Sequence, residues 1–179
     1  MKKICVYCGS NDGARPEYKQ AAAALGCAML EKGLDLVYGG ASVGLMGKVA
    51  DTVIEGGGRV TGVIPESLVN REISHTGLTE LVVVGSMHER KSMMADLSDG
   101  FIALPGGIGT MEELFEMLTW SQLEFHNKPC ALLNVVGYYD HLNAFMQQGV
   151  NQGFIKKETD AKLIIKEDPK ALLDLFLEG

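Results

Sequence analysis

Short apolar runs alternate along this chain with longer segments whose apolar positions recur every three to four residues. The first run, Lys3–Cys8, reads as a strand. Arg15-Pro16-Glu17 then opens a helix, with proline at an early position and an acid in the first turn. Ala21, Leu25, Ala28 and Met29 keep helical spacing, and Gly33 ends it. By the same reasoning further strands are expected at Leu34–Tyr38, Val60–Ile64, Glu80–Val84, Phe101–Leu104, Cys130–Val135 and Leu163–Lys166. Helices are expected at Gly44–Glu55, Met87–Leu97, Thr110–Phe125, Tyr138–Gln148 and Pro169–Leu177. Glu66–Gly77 reads as a polar connection.

Strands separated by helices pair in parallel through right-handed crossovers. The strands read as continuous apolar runs, the pattern of a sheet covered by helices on both faces. No linker, short repeat or low-complexity segment divides the chain. The expectation is one α/β domain over residues 1–179, Rossmann-like and doubly wound, with a mostly parallel sheet of about seven strands. In such a sheet ligands bind beyond the carboxyl ends of the strands. The loops there are Cys8-Gly9-Ser10, Gly39–Ser42, Pro65-Glu66, Gly85-Ser86 and Pro105–Thr110, and three of the five are rich in glycine.

Composition narrows the function classes. A formal charge of −7 argues against a general nucleic-acid binder, because phosphate neutralisation dominates such binding. A small anion remains acceptable, since a local site can oppose the global charge. The apolar run after Met1-Lys2-Lys3 is too short for a signal peptide, and no stretch is long enough to span a membrane. A cytoplasmic protein with no nucleic-acid or membrane partner is expected. Cys5 and Cys8 form a C-x-x-C inside an apparent strand, where residues three apart point to opposite faces. Buried reduced thiols fit that placement better than a metal or redox pair.

Two glycine loops carry the candidate chemistry. Gly39-Gly40-Ala41-Ser42 leads into one helix and Pro105-Gly106-Gly107-Ile108-Gly109-Thr110 into another. Glycine lets backbone N–H groups approach a ligand, and a helix start favours phosphate. Either loop alone could be a tight turn only. Together they favour one phosphorylated ligand held between them. A Walker A loop fails because Ser42 stands five positions before Gly47, and G-x-G-x-x-G matches neither loop.

Pro105–Glu113 (PGGIGTMEE) resembles the P-G-G-x-G-T-x-x-E signature of the LOG family. These are cytokinin riboside 5′-monophosphate phosphoribohydrolases, often misnamed lysine decarboxylases. Further resemblances follow in family order: Cys8-Gly9-Ser10, Val37-Tyr38-Gly39-Gly40, Gly44-Leu45-Met46-Gly47, Met87-His88-Glu89-Arg90-Lys91, Phe101–Leu104, and Lys128-Pro129 with Leu132-Leu133-Asn134. Ala41 departs from the third glycine of many members. The resemblance implies a Rossmann-like homodimer that needs no metal or organic cofactor. The implied reaction hydrolyses the base–ribose bond, giving free base and ribose 5-phosphate. It places the catalytic arginine at Arg90 and the catalytic glutamate at Glu113. Substrate contacts fall on Glu72, Lys91, Gly106–Glu112 (including Gly107, Gly109 and Thr110) and Thr119.

The residues themselves leave alternatives open. A carboxylate beside the anomeric carbon stabilises an oxocarbenium-like transition state or activates water. Glu113 stands in the first turn of its helix, but Thr110-Met111-Glu112-Glu113 also fits a capping box. Glu112 could be the working acid instead. Arg90 offers forked donors to phosphate or to a leaving base, or pairs on the surface with Glu89 or Asp96. Ser10 and Ser42 either donate to phosphate or stabilise turns. His75, His88, His126 and His141 show no metal-ligand spacing. The apolar face of the long helix, with Leu114, Phe115, Leu118, Trp120 and Leu123, serves the core and the dimer contact implied by the resemblance. Two other functions compete. A nucleotide or cofactor carrier would need the glycine loops without Arg90 and Glu113. A pyridoxal-dependent decarboxylase would need a lysine motif that neither Lys48 nor Lys91 supplies. The sequence does not rank AMP against prenylated adenine nucleotides.

Overall fold

The structure is a computed structural model that describes residues 1–69 and 74–178. Among these, seven strands form one parallel sheet: β1 (Lys3–Tyr7), β2 (Asp35–Tyr38), β3 (Val60–Pro65), β4 (Glu80–Val84), β5 (Gly100–Ala103), β6 (Cys130–Leu133) and β7 (Leu163–Lys166). Their order is β4-β3-β2-β1-β5-β6-β7, so the first strand is central. The chain builds outward from β1 to β4, then returns to the other side of β1 as β5. Cys5 registers with Val37 on one side and Phe101 on the other. The switch between β1 and β5 opens a crevice beyond their carboxyl ends, which is where an α/β sheet of this kind takes a ligand.

The described residues also form eight α-helices: α1 (Pro16–Glu31), α2 (Gly44–Glu55), α3 (Glu66–Val69), α4 (Met87–Leu97), α5 (Ile108–Gln122), α6 (Asp140–Asn151), α7 (Lys157–Asp160) and, after the last strand, α8 (Pro169–Glu178). Alternation along β1 sends Ile4 and Val6 to one face and Cys5 and Tyr7 to the other. The first face packs on α1, α2 and α8 through Leu25, Met29, Val49, Leu172 and Phe176. The second packs on α4, α5 and α6 through Met94, Leu114, Leu118 and Met146. Burying both faces is what permits an all-parallel sheet.

The structure departs from the sequence pattern in places. The four-residue helices α3 and α7 lie inside stretches without helical periodicity, too short to show one. Glu80, Leu81 and Val83 of the edge strand β4 are exposed, so helices do not cover this strand as they cover the centre. Cys8 lies just past β1, and its side chain joins the α1/α2 core while Cys5 joins the opposite one. Both are free thiols, which fits the reading of the C-x-x-C as unpaired core residues. Among the described residues, no helix is long and apolar enough to cross a membrane.

Candidate active site

A cavity of about 540 Å³ occupies the crevice between the ends of β1 and β5. Its walls include Gly9–Gly13 after β1, Pro105–Thr110 after β5, and the side chains of Arg90, Glu113 and Tyr138. The sequence placed Arg90 and Glu113 on different helices, and the fold brings them together. Arg90 Nη1 donates to Glu113 Oε1 at 2.6 Å, with the side chains only 9% and 12% exposed.

The two helix starts explain this pairing. α4 begins at the cap Ser86, whose Oγ accepts from the Glu89 N–H at 3.2 Å. Glu89 reaches back and accepts from the Gly85 N–H at 2.9 Å. The S-x-x-E sequence therefore engages Glu89 at the cap, and Arg90 turns inward. Its Nε donates to the Val63 carbonyl at 3.0 Å. Neither Glu89 nor Asp96 is its partner, contrary to the surface alternative. At α5 the capping box read from Thr110 to Glu113 does not form. The helix starts two residues earlier, with Gly107 as N-cap and no side-chain cap, so Thr110 is already within the first turn. Glu113 is left for Arg90.

Burial pushes the Glu113 carboxyl above the ordinary glutamate value, against the attraction of Arg90 that lowers it. The pair thus holds a carboxylate that is costly to ionise beside a guanidinium whose charge favours ionisation. Glu112, the other candidate acid, stands at the cavity wall but is 53% exposed and pairs elsewhere. Its Oε1 accepts from Lys91 Nζ at 2.5 Å, and Lys91 also reaches Glu116 at 3.1 Å. The hydrogen bond that Lys91 donates to Glu112 holds its ammonium pKa above the usual value, the wrong direction for an imine-forming lysine. Glu112 lines the cavity and Lys91 does not.

The start of α5, which lines the cavity, has the chemistry that favours an anion. The first N–H groups of α5, from Gly107 to Thr110, have no intrahelical acceptor, and the helix dipole points its positive end there. A Cβ on Gly107 or Gly109 would meet no atom within 4 Å. Nothing in the protein requires glycine at these two positions, so the free approach they offer is toward the cavity. Gly106 is different: a Cβ there would overlap the Thr110 hydroxyl and sit 2.9 Å from the Gly9 nitrogen. The Gly9 N–H donates to the Pro105 carbonyl at 3.1 Å, which ties the two lining loops together. Ser10 is exposed at the cavity wall.

The loop Gly39–Gly47 also plays a part that sequence did not suggest. Gly39 reaches the cavity, but Gly40 does not line it. A side chain on Gly39 would collide with the Arg90 guanidinium and with Met46. Gly44, at φ +60°, packs its Cα against the Ser10 backbone, and the Leu45 N–H donates to the Gly9 carbonyl at 3.1 Å. This loop seats Arg90, supports the loop after β1 and adds Gly39, Leu45 and Met46 to the cavity wall. Thr119 lies farther along α5, away from the cavity, with its hydroxyl donating to the Phe115 carbonyl at 2.7 Å. Glu72 lies outside the described residues. None of the four histidines lines the cavity; His75 Nε2 lies 2.8 Å from Asp51 on α2.

Several lining residues escaped the sequence reading, among them Gly13, Tyr18, Met46, Met87, Met94 and Tyr138. One signal was available. The rule that ligands sit beyond strand carboxyl ends applies also to the loop after β6, which carries Tyr138. Among the described residues no group of three or more histidine, cysteine or acidic side chains is placed to hold a metal ion.

A family profile described as "Possible lysine decarboxylase" matches residues 46–176. The chain is 55% identical over 169 residues to the probable cytokinin riboside 5′-monophosphate phosphoribohydrolase LOGL1 of Oryza sativa subsp. japonica, covering 94% of this chain and 75% of that one. It is 51% identical over 171 residues to the cytokinin riboside 5′-monophosphate phosphoribohydrolase LOG7 of Arabidopsis thaliana, covering 96% and 78%. Among solved structures it resembles the molybdenum cofactor carrier protein of Chlamydomonas reinhardtii, at TM-score 0.75 and 22% identity over 99% of both chains. That likeness is one of fold alone. With half its residues shared across most of the length of such relatives, and with the signature loop forming the cavity wall, the chain belongs to the LOG family of phosphoribohydrolases.

Proposed function

We propose that this protein hydrolyses the N-glycosidic bond of an adenine-type nucleoside 5′-monophosphate, a cytokinin riboside 5′-monophosphate or AMP. The observation that carries this reading is the buried Arg90–Glu113 pair facing the same cavity as the uncapped start of α5. The 5′-phosphate lies against the N–H groups of Gly107–Thr110, and the anomeric carbon comes to Glu113.

Breaking the bond between C1′ and the base nitrogen leaves its electron pair on the base and positive charge on the ribose. The ionised Glu113 carboxylate opposes that charge and takes a proton from the attacking water. The water oxygen bonds to C1′, the base gains a proton, and ribose 5-phosphate is the second product. Arg90 keeps Glu113 ionised and oriented in a setting that would otherwise favour the neutral acid. Hydrolysis written this way calls on no organic cofactor. The cavity volume lies within the range of small-ligand pockets, roughly 300–1,000 Å³.

The reading extends to a cytoplasmic homodimer. The four unpaired cysteines support a reducing compartment. Leu123, 54% exposed near the end of α5, supports a subunit contact on that helix. Incubation with AMP and with isopentenyladenosine 5′-monophosphate tests the activity, with free base read by chromatography. Base release from at least one is expected, and folded protein that releases none from either refutes it.

A further inference from the structure

Two aromatic side chains outside the signature loop line the cavity, Tyr18 and Tyr138. Tyr138, on the turn between β6 and α6, donates its hydroxyl proton to the Gly106 carbonyl at 2.7 Å. Its ring meets the edge of Tyr18 on α1, with centroids 5.6 Å apart and planes at 78°. Tyr18 in turn lies over Gly13, where a Cβ would sit 2.7 Å from the ring at a backbone φ of +75°. Behind Tyr138, Tyr139 packs edge-on at 4.9 Å and donates to the Leu104 carbonyl at 2.6 Å. The loop after β1 is therefore joined to the loop after β5 through Gly13, Tyr18, Tyr138 and Gly106.

We propose that Tyr138, braced by Tyr18, is a positioning residue that sets the 5′-phosphate cradle. This rests on the phosphoribohydrolase reading for the identity of the anion. The physical reason lies in one peptide unit. The Gly106 carbonyl and the Gly107 N–H belong to the same planar trans group and point in opposite directions. Fixing the carbonyl on the Tyr138 hydroxyl fixes the N–H that opens the α5 anion site. It also engages an oxygen that would repel a phosphate if it turned toward the cavity. Glycine on both sides of this peptide leaves its orientation free, since neither residue restricts the backbone as a side chain would. An external clasp supplies what the glycines lack. Tyr138 is 42% exposed, so its hydroxyl is not needed to satisfy a buried group of its own.

The test is calorimetric titration of ribose 5-phosphate and of AMP into wild type, Tyr138→Phe, Tyr138→Leu and Tyr18→Ala, together with nucleotide turnover. Tyr138→Phe keeps the ring and removes only the hydrogen bond. Its affinity for ribose 5-phosphate should fall about tenfold, the effect of one lost hydrogen bond. KM for the nucleotide should rise by about the same factor while kcat changes less than about twofold. Tyr138→Leu and Tyr18→Ala should weaken binding at least as much, with the folded far-ultraviolet spectrum retained. Wild-type affinity in Tyr138→Phe, or a loss carried by kcat with KM unchanged, overturns the proposal. So does a wild type that binds neither ligand. A wild type that binds ribose 5-phosphate, weakened in Tyr138→Phe, but releases no base supports the clasp and refutes the hydrolase.

Discussion

The guanidinium of Arg90 occupies the space that a side chain on Gly39 would need. The first residue after β2 thus determines where a charge carried by α4 can lie. Replacing Gly39 with alanine forces the guanidinium away from Glu113, and displacements near 1 Å at a reacting centre cost about 100-fold in rate. Gly39→Ala should therefore lower kcat by about that factor. Steady-state kinetics checks this, and a variant with wild-type kcat would show that the seat is dispensable.

Gly109 makes the opposite case. Its Cβ position is open, and it lies in the first turn of α5 with no positive φ. Alanine there should leave the fold as stable or raise stability by about 0.5–1 kcal/mol, because glycine is a poor helix former. The same methyl group stands where a phosphate would approach. A higher melting temperature together with a raised nucleotide KM is the expected result. Unchanged KM would place the phosphate elsewhere.

The Arg90–Glu113 pair should also show in stability. Removing one partner of a buried ion pair leaves an uncompensated charge and costs about 3 kcal/mol. Arg90→Met and Glu113→Gln should each destabilise the protein by roughly this much in urea denaturation. The double variant should cost less than their sum by more than about 1 kcal/mol, since the two residues are in contact. Additive losses would mean that the residues act separately.

Glu113 gives the enzyme a pH signature. The base must be ionised, and burial raises its pKa. Activity should therefore fall as pH drops through a value above the ordinary glutamate range, not within it. The sign for stability is opposite to that of an ordinary salt-bridged acid. A raised carboxyl pKa means the folded state holds its proton more firmly than the unfolded chain, so this group's contribution weakens as pH rises. A kcat/KM profile whose acid limb coincides with an unperturbed glutamate would contradict this.

Thiol labelling offers a check on the core. Burial raises the thiols of Cys5 and Cys8 far above their usual range and that of Cys130 to about 12. Of the four free thiols only Cys27 is exposed. A native preparation should react with an aromatic disulfide reagent at Cys27 alone, and an unfolded one at all four. Rapid labelling of Cys5 or Cys8 would mean that the faces of β1 are less closed than described.

Much of this molecule was legible in its pattern of residues. Runs such as Glu80–Val84 and Leu163–Lys166 match their strands because apolar β-branched segments between turns have few other outcomes. Arg90 and Glu113 were legible through resemblance to a family, not through spacing. Spacing favoured a cap for Glu113, since Thr110-Met111-Glu112-Glu113 satisfies a local rule. The competing S-x-x-E from Ser86 to Glu89 satisfies the same rule and is the one that forms. Choosing between them needs the start of α5, which Gly107 as N-cap and the packing of Gly106 against the β1 loop decide. The role of Gly39 and the Tyr18–Tyr138 contact depend on residues far apart in the chain, and no local window contains them.

The placement of β1 has a bearing on biosynthesis. Of the seven described strands β1 is synthesised before the rest; it takes β2 as one neighbour early, but its other neighbour, β5, ends only at Ala103. Until then one whole edge of Lys3–Tyr7 carries unpaired amides beside apolar side chains, a template for other nascent chains. Fragments stopped before Gly100 should accumulate in aggregates, whereas those extended past Ala103 can shield that edge from within.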